Sequence, residues 1–159
     1  DMGDLRVVQP QNAEQHWQPV PANGHIEVHL APDLVAMEYV LGFGRQVVPP
    51  GSYVREHSHD RNEEVIHCTE GGGCAMLDGV AHRMVPGTTI FLGRNRRHLL
   101  LNDGATDLVF TWLIVPSGLE TFFRAIGRPK IAGEADPTPF PRPADVLAIE
   151  ARTVFAPPV

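Results

Sequence analysis

Between residue 34 and about residue 115 the chain never runs far without a turn signal, and this limits what it can fold into. β-rich runs at 35–48, 53–57, 64–69, 74–77, 80–85, 88–92, 98–101 and 107–115 are separated by Gly, Pro and Asp. Runs at such close spacing predict an all-β sandwich or barrel. Asp78-Gly79 falls between two of them, and both residues tolerate the positive φ of a two-residue hairpin. Pro49-Pro50-Gly51 and Pro86-Gly87 mark two more turns.

The flanks read differently. Residues 1–33 are polar and proline-bearing, with an apolar alternation at 25–30, and are expected as an N-terminal arm along the barrel edge or across to a partner. Residues 34–116 are the barrel. Within 117–159, Ser117 and Glu120 form a capping-box pattern opening an amphipathic helix at 119–126, with Gly127 ending it in a left-handed conformation. Residues 128–142 read as an extended linker, and 144–152 as a second short helix with Pro143 in its first turn. The two helices and the tail are expected to pack on the barrel. A chain of 159 residues suits one domain and buries a core without staples.

The net charge of −6 and a single lysine, Lys130, argue against nucleic acid as a partner. No apolar stretch nears the ~18 residues that span a bilayer. The N-terminus lacks a charged-then-apolar signal pattern, so a cytoplasmic location is expected. Cys68 and Cys74 are expected as free thiols in that compartment.

The chemistry concentrates in 51–71, GSYVREHSHDRNEEVIHCTEG. His57 and His59 are two apart, and such residues share one face of a strand. The polar stretch 60–62 lets the chain reverse so that Glu64 faces the same interior. Glu63 is the alternative, since strand neighbours point to opposite faces. A second segment, GTTIFLGRNRRHLLLN at 87–102, supplies His98 at the start of another run. Three imidazoles and a carboxylate make a mixed nitrogen and oxygen set suited to one divalent ion, Mn, Fe, Co, Ni, Cu or Zn, rather than Ca or Mg. His67, three after Glu64, is read as a surface or interface histidine; His82 as packed or solvated. Cys68 and Met76 are expected to face the interior.

The first segment resembles the first motif of the cupin superfamily: Gly51, five residues, His57-x-His59, four residues, Glu64, six residues, Gly71. The second resembles the second cupin motif at Gly87, His98 and Asn102, but Gly93 stands where that motif has proline and Asn95 where it has glycine. The resemblance implies a double-stranded β-helix, the jelly-roll or cupin barrel, with short C-terminal helices outside it, and a homodimer. It implies His57, His59, Glu64 and His98 as the metal ligands, with Fe(II) favoured. Superfamily members span several reaction classes, and fold alone does not choose among them. The leading expectation is an Fe(II) dioxygenase-type enzyme acting on a small organic substrate. One alternative is a redox-neutral lyase, isomerase or decarboxylase with Mn, Ni or Zn as Lewis acid, in which Glu64 loosens from the metal to act as catalytic base. Another is a non-catalytic module that binds a small ligand. Candidate substrate contacts are Tyr53 and Arg55 on the His57 strand, Phe91, Leu100 and Trp112 within strands, and Arg97. Arg97 belongs with Arg94 and Arg96 to a basic loop suited to an anionic substrate.

Overall fold

The computed structural model describes residues 1–158. After a 3₁₀ turn at Pro10–Asn12, eleven strands follow in two sheets. They are Glu14–Trp17 (β1), His25–Leu30 (β2), Gly42–Val48 (β3), Tyr53–His57 (β4), Glu63–Glu70 (β5) and Gly73–Leu77 (β6), then Val80–Met84 (β7), Thr89–Leu92 (β8), His98–Leu101 (β9), Leu108–Val115 (β10) and Arg128–Pro129 (β11). The larger sheet has the order β11-β1-β2-β3-β10-β5-β8 and the smaller β4-β9-β6-β7, with every pair antiparallel. Two antiparallel sheets face to face give the double-stranded β-helix.

The turn chemistry does what the sequence asks. Asp78 and Gly79 both take positive φ, 48° and 81°, between β6 and β7. Gly71 sits at φ +70°, where an added Cβ would stand 2.1 Å from the Asp107 carbonyl oxygen. Both conditions demand glycine at this turn.

Alternation along β10 sets the core. Phe110, Trp112 and Ile114 are buried in every second position. Toward the start of β10, Leu108 and Phe110 pack with Val48, Ile66, Cys68, Ala75, Met84, Ile90, Leu92 and Leu100. Toward its other end, Trp112 and Ile114 join a second cluster that includes Ile26, Val28, Phe122, Phe123, Ile149, Val154 and Phe155. The sheets therefore fill one end of the barrel themselves. At the other end the packing comes from the helices Leu119–Ile126 (α1) and Val146–Arg152 (α2) and the segment after them.

Several sequence expectations are corrected. The run at 35–48 begins as a strand only at Gly42, because the β2 ladder ends at Leu30 opposite Phe43 and, among the described residues, no strand pairs with residues 35–41. Residues 14–17 form a strand, and β1 and β2 extend the large sheet beyond β3. Met76 lies on the partly exposed face of β6, where alternation instead turns Ala75 inward. Ser117 does not cap α1. Gly118 is the N-cap residue, and its N–H donates to Glu120 Oε2 at 2.9 Å. Gly127 is extended, with φ −99°, and is needed for space: a Cβ would lie 2.4 Å from the Trp17 carbonyl oxygen. The second helix starts at Val146, and the Pro143 carbonyl accepts the Val146 N–H just before its first turn. Arg128–Pro129 in the expected linker pairs with β1. Among the described residues no helix is long and apolar enough to cross a membrane.

Asn102, fully buried at the end of β9, fixes the loop into β10. Its Nδ2 donates to the carbonyls of Val48 and Thr106, both at 2.8 Å, and its Oδ1 accepts from Gly104 N–H at 3.0 Å. Removing a buried partner leaves several polar groups unsatisfied. Asn102→Ala is therefore expected to lower stability by about 2–4 kcal/mol, read from the midpoint of urea unfolding at unchanged slope.

Candidate metal centre

The four histidine and glutamate side chains of the motifs meet at one point. His57 ends β4 and lies directly opposite His98, which opens β9. Their rings are 4.1 Å apart between centroids. Glu64 is buried on the inward face of β5, while Glu63, the alternative by register, is exposed. His59 is reached in another way than strand alternation. It lies two residues past the end of β4, after a register shift in the β4–β9 ladder. One ligand atom from each of the four residues lies within 4.8 Å of the others. Ligands about 2.0–2.2 Å from a common ion stand roughly 3–4.4 Å apart, so small side-chain movements close the set on a metal.

Backbone carbonyls orient the rings. Nδ1–H of His57 donates to Arg55 O at 2.8 Å, that of His59 to Val154 O at 2.8 Å, and that of His98 to Arg96 O at 3.0 Å. A carbonyl can only accept, so each Nδ1 carries the proton and each Nε2 presents a lone pair. Nε2 of His59 and His98 stands 3.4 and 3.3 Å from Glu64 Oε1. These three atoms are buried and have no hydrogen-bond partner among the described residues. Unpartnered buried polar atoms cost roughly 1–3 kcal/mol each, and three that face one another are what a divalent ion satisfies. The set fits Mn, Fe, Co, Ni, Cu or Zn.

Electrostatics agree. Burial alone would push the Glu64 carboxyl up, but the His59 and His98 imidazoles beside it outweigh that and hold the carboxyl well below the usual range. His59 is raised: Glu64, with the Val154 carbonyl and Asp60, overcomes the lowering effect of burial. His57 is pushed well down by burial and by its imidazole neighbours.

The centre opens into an apolar cavity of about 650 Å³, its open mouth included. His57, Glu64 and His98 border it together with Ile66, Leu100, Phe110 and Trp112 of the sheets and Leu119, Phe122, Phe123, Ile126 and Phe155 from outside them. Gln18, Gln46, Arg55 and Arg142 add polar groups to the lining. Arg55 and Arg142 both pair with Glu150 of α2. Burial, then the charge of Arg142, brings Arg55 down to about 10.

The cupin domain family matches residues 44–114, the stretch that carries all four side chains. Residues 44–114 form a cupin domain. The chain is similar to Protein SchB of Streptomyces halstedii, with 35% identity over 69 residues covering 42% of this chain and 50% of that protein. The match thus spans about half the length of that curated relative. Among solved structures it resembles a predicted oxalate decarboxylase from Thermotoga maritima, at TM-score 0.58 and 25% identity, over 70% of this chain and 99% of the other. It also resembles the polyketide cyclase RemF from Streptomyces resistomycificus, at TM-score 0.60 and 17% identity, over 70% and 80% of the two chains. A sugar phosphate isomerase of the cupin superfamily from Silicibacter pomeroyi matches at TM-score 0.58 and 19% identity, over 69% and 75%.

The substrate candidates divide. Arg55, Leu100 and Trp112 line the cavity. Tyr53, 39% exposed, and Phe91, 65% exposed, do not: Tyr53 lies before the register shift between Val54 and His57, and alternation along β8 turns Phe91 to the outer face. Arg97 also lies outside, where it reaches Glu56 at 3.5 Å, and Arg96 is paired with Asp78 at 2.8 Å. Two of the three arginines of the basic loop thus have acidic partners of their own. Asn95, which stands where the second cupin motif has glycine, takes φ +65°. Asparagine tolerates that region, and the Asn95 N–H donates to the His59 carbonyl at 2.8 Å. The sequence reading missed Arg142, Phe122, Phe123 and Phe155. The paired aromatics of the amphipathic 119–126 stretch, and Val154-Phe155 in an otherwise polar tail, were the available signal.

Two outcomes are expected. His98→Ala and His59→Ala lose the metal, measured by elemental analysis after dialysis, while circular dichroism retains the β signal, since the ligands are grafted on a large core. Because the His59 pKa is raised, a proton must leave before metal enters. Affinity should therefore fall as the pH drops, and calorimetry in buffers of different ionisation enthalpy should show proton release on metal binding that grows as the pH is lowered.

Proposed function

We propose that this protein is a metal-dependent enzyme acting on a small, largely apolar organic substrate in a redox-neutral reaction. The observation that carries the reading is the placement of the four-residue set on the border of a cavity walled by Trp112, Phe110, Phe122, Phe123 and Phe155. His57, His59, Glu64 and His98 would hold one divalent ion. Bound there, the ion supplies Lewis acidity toward a substrate oxygen, and Fe(II) in particular would add dioxygen chemistry.

The remaining work falls to the chain. The aromatic walls seat the body of the substrate and exclude water, so that charge developing near the ligands is poorly screened. Glu64 is the carboxylate that borders the cavity, and we assign it as the group that accepts a substrate proton. A carboxylate is a weak base, suited to a proton that is already acidic, such as one flanked by carbonyl groups. The names of similar structures, a predicted oxalate decarboxylase, a polyketide cyclase and a sugar phosphate isomerase, support a reaction without net oxidation. The second reading is the Fe(II) dioxygenase, supported by the same donor set and the water-excluding wall.

The test is turnover of a panel of small cyclic and aromatic β-dicarbonyl compounds by metal-loaded protein, with and without oxygen. Equal rates under both conditions, abolished by chelation, are expected. Strict dependence on oxygen, with stoichiometric uptake, would replace this reading by the dioxygenase. Binding without turnover across the panel would favour the non-catalytic module.

A further inference from the structure

Two arginines border the cavity and share one acid. Glu150 is buried, and its Oε2 accepts from Arg142 Nη2 at 2.8 Å and also pairs with Arg55 Nη2. Arg55 Nη1 makes one further, long bond of 3.4 Å to the Glu56 carbonyl. Each guanidinium carries five N–H donors. Among the described residues no other protein acceptor hydrogen-bonds to either. Two positive charges therefore face one negative charge beside a wall of phenylalanine and tryptophan, and Arg55 stands 5.8 Å over the Phe155 ring. Both guanidiniums are only half-buried, and charge partly withdrawn from water favours a counter-charge. Here the imbalance is one positive charge with unused planar donors.

We infer that Arg55 and Arg142 are the anion-recognising part of the substrate site, and that the substrate class is an organic carboxylate with an apolar, ring-sized body. The inference rests on the reading of this cavity as the substrate site. The carboxylate of such a ligand would balance the second guanidinium, and arginine's fork matches it in bidentate geometry. Its body would lie along Phe122, Phe123 and Phe155, which border the same space. Glu150 then has a definite role: it holds the two guanidiniums toward the cavity and competes with the ligand for them. Arg142 and Glu150 lie outside the expected barrel segment, on the stretch leading into α2 and on α2 itself. A purely structural staple between α2 and β4 would make the same salt bridges but would not distinguish an acid from its amide.

The experiment measures binding of 1-naphthoate and 1-naphthamide to the zinc-loaded full chain by calorimetry, with zinc content read in the same samples. Naphthoate is expected to bind about tenfold or more tightly than the amide, the worth of a charge-assisted hydrogen bond. Arg142→Gln should abolish that preference at unchanged zinc content. Glu150→Gln should tighten naphthoate while leaving the amide unmoved, a gain that loss of a structural staple does not produce. Arg142→Lys, which keeps the charge, serves if the glutamine variant does not fold, and should retain part of the preference. Equal affinity for acid and amide, no binding of the acid, or a preference that survives Arg142→Gln would each overturn the proposal. Protein that takes up no zinc yet still prefers the acid would support the arginine site and count against the metal centre alone.

Discussion

Three backbone carbonyls, those of Arg55, Arg96 and Val154, decide what the site histidines present to the interior. By accepting the Nδ1 protons they fix the tautomer in which Nε2 is a free donor atom. Glu64 then completes the set, with its Oε1 close to two of those nitrogens. Two of the three carbonyls come from residues two positions before the histidines they orient, one at the end of β4 and one ahead of β9. The third comes from the far end of the chain. The segment after α2 also gives the Ala156 N–H to the Ser58 carbonyl and takes Arg61 on the Thr153 carbonyl. The loop carrying His59 is thus held by the tail as much as by the barrel.

That coupling explains where the cavity lies. One end of the barrel is filled by side chains of its own sheets, from Val48 to Phe110. The other end relies on α1 and the C-terminal segment for Phe122, Phe123, Val154 and Phe155. The ligands stand at the junction, since Glu64 precedes Ile66 on β5 and His98 precedes Leu100 on β9, with both apolar residues in the filled end. An ion held there would have a packed core on one side and an aromatic, partly open space on the other.

What the sequence shows of this depends on how each residue reaches the site. Strand alternation and turn residues are local, so the strands around 53–57, 64–69 and 98–101 and the Asp78-Gly79 hairpin were readable directly. Glu64 over Glu63 followed from motif spacing, and the exposure of Glu63 agrees. His59 was named for a geometric reason that does not apply, because the strand ends at His57 and the tail positions the ring. The extended reading of 35–41 failed because a β-rich run needs a facing strand, which pairing of distant segments decides. Arg142, Phe122, Phe123 and Phe155 reach the cavity through tertiary packing of helices and tail, and no local period announces that. Tyr53, Phe91 and Arg97 were near the motifs in sequence, but strand faces and the acidic partner of Arg97 carry them away from the cavity.

The central claim is that His57, His59, Glu64 and His98 hold one divalent ion. The most direct measurement is metal content together with X-ray absorption at the metal edge, on untagged protein purified without added metal. Near one equivalent of a first-row transition metal is predicted, with multiple-scattering features of about three imidazoles and a carboxylate oxygen in the first shell. A protein that carries no metal and takes none up on reconstitution, or an ion whose shell lacks imidazole scattering, would contradict the account.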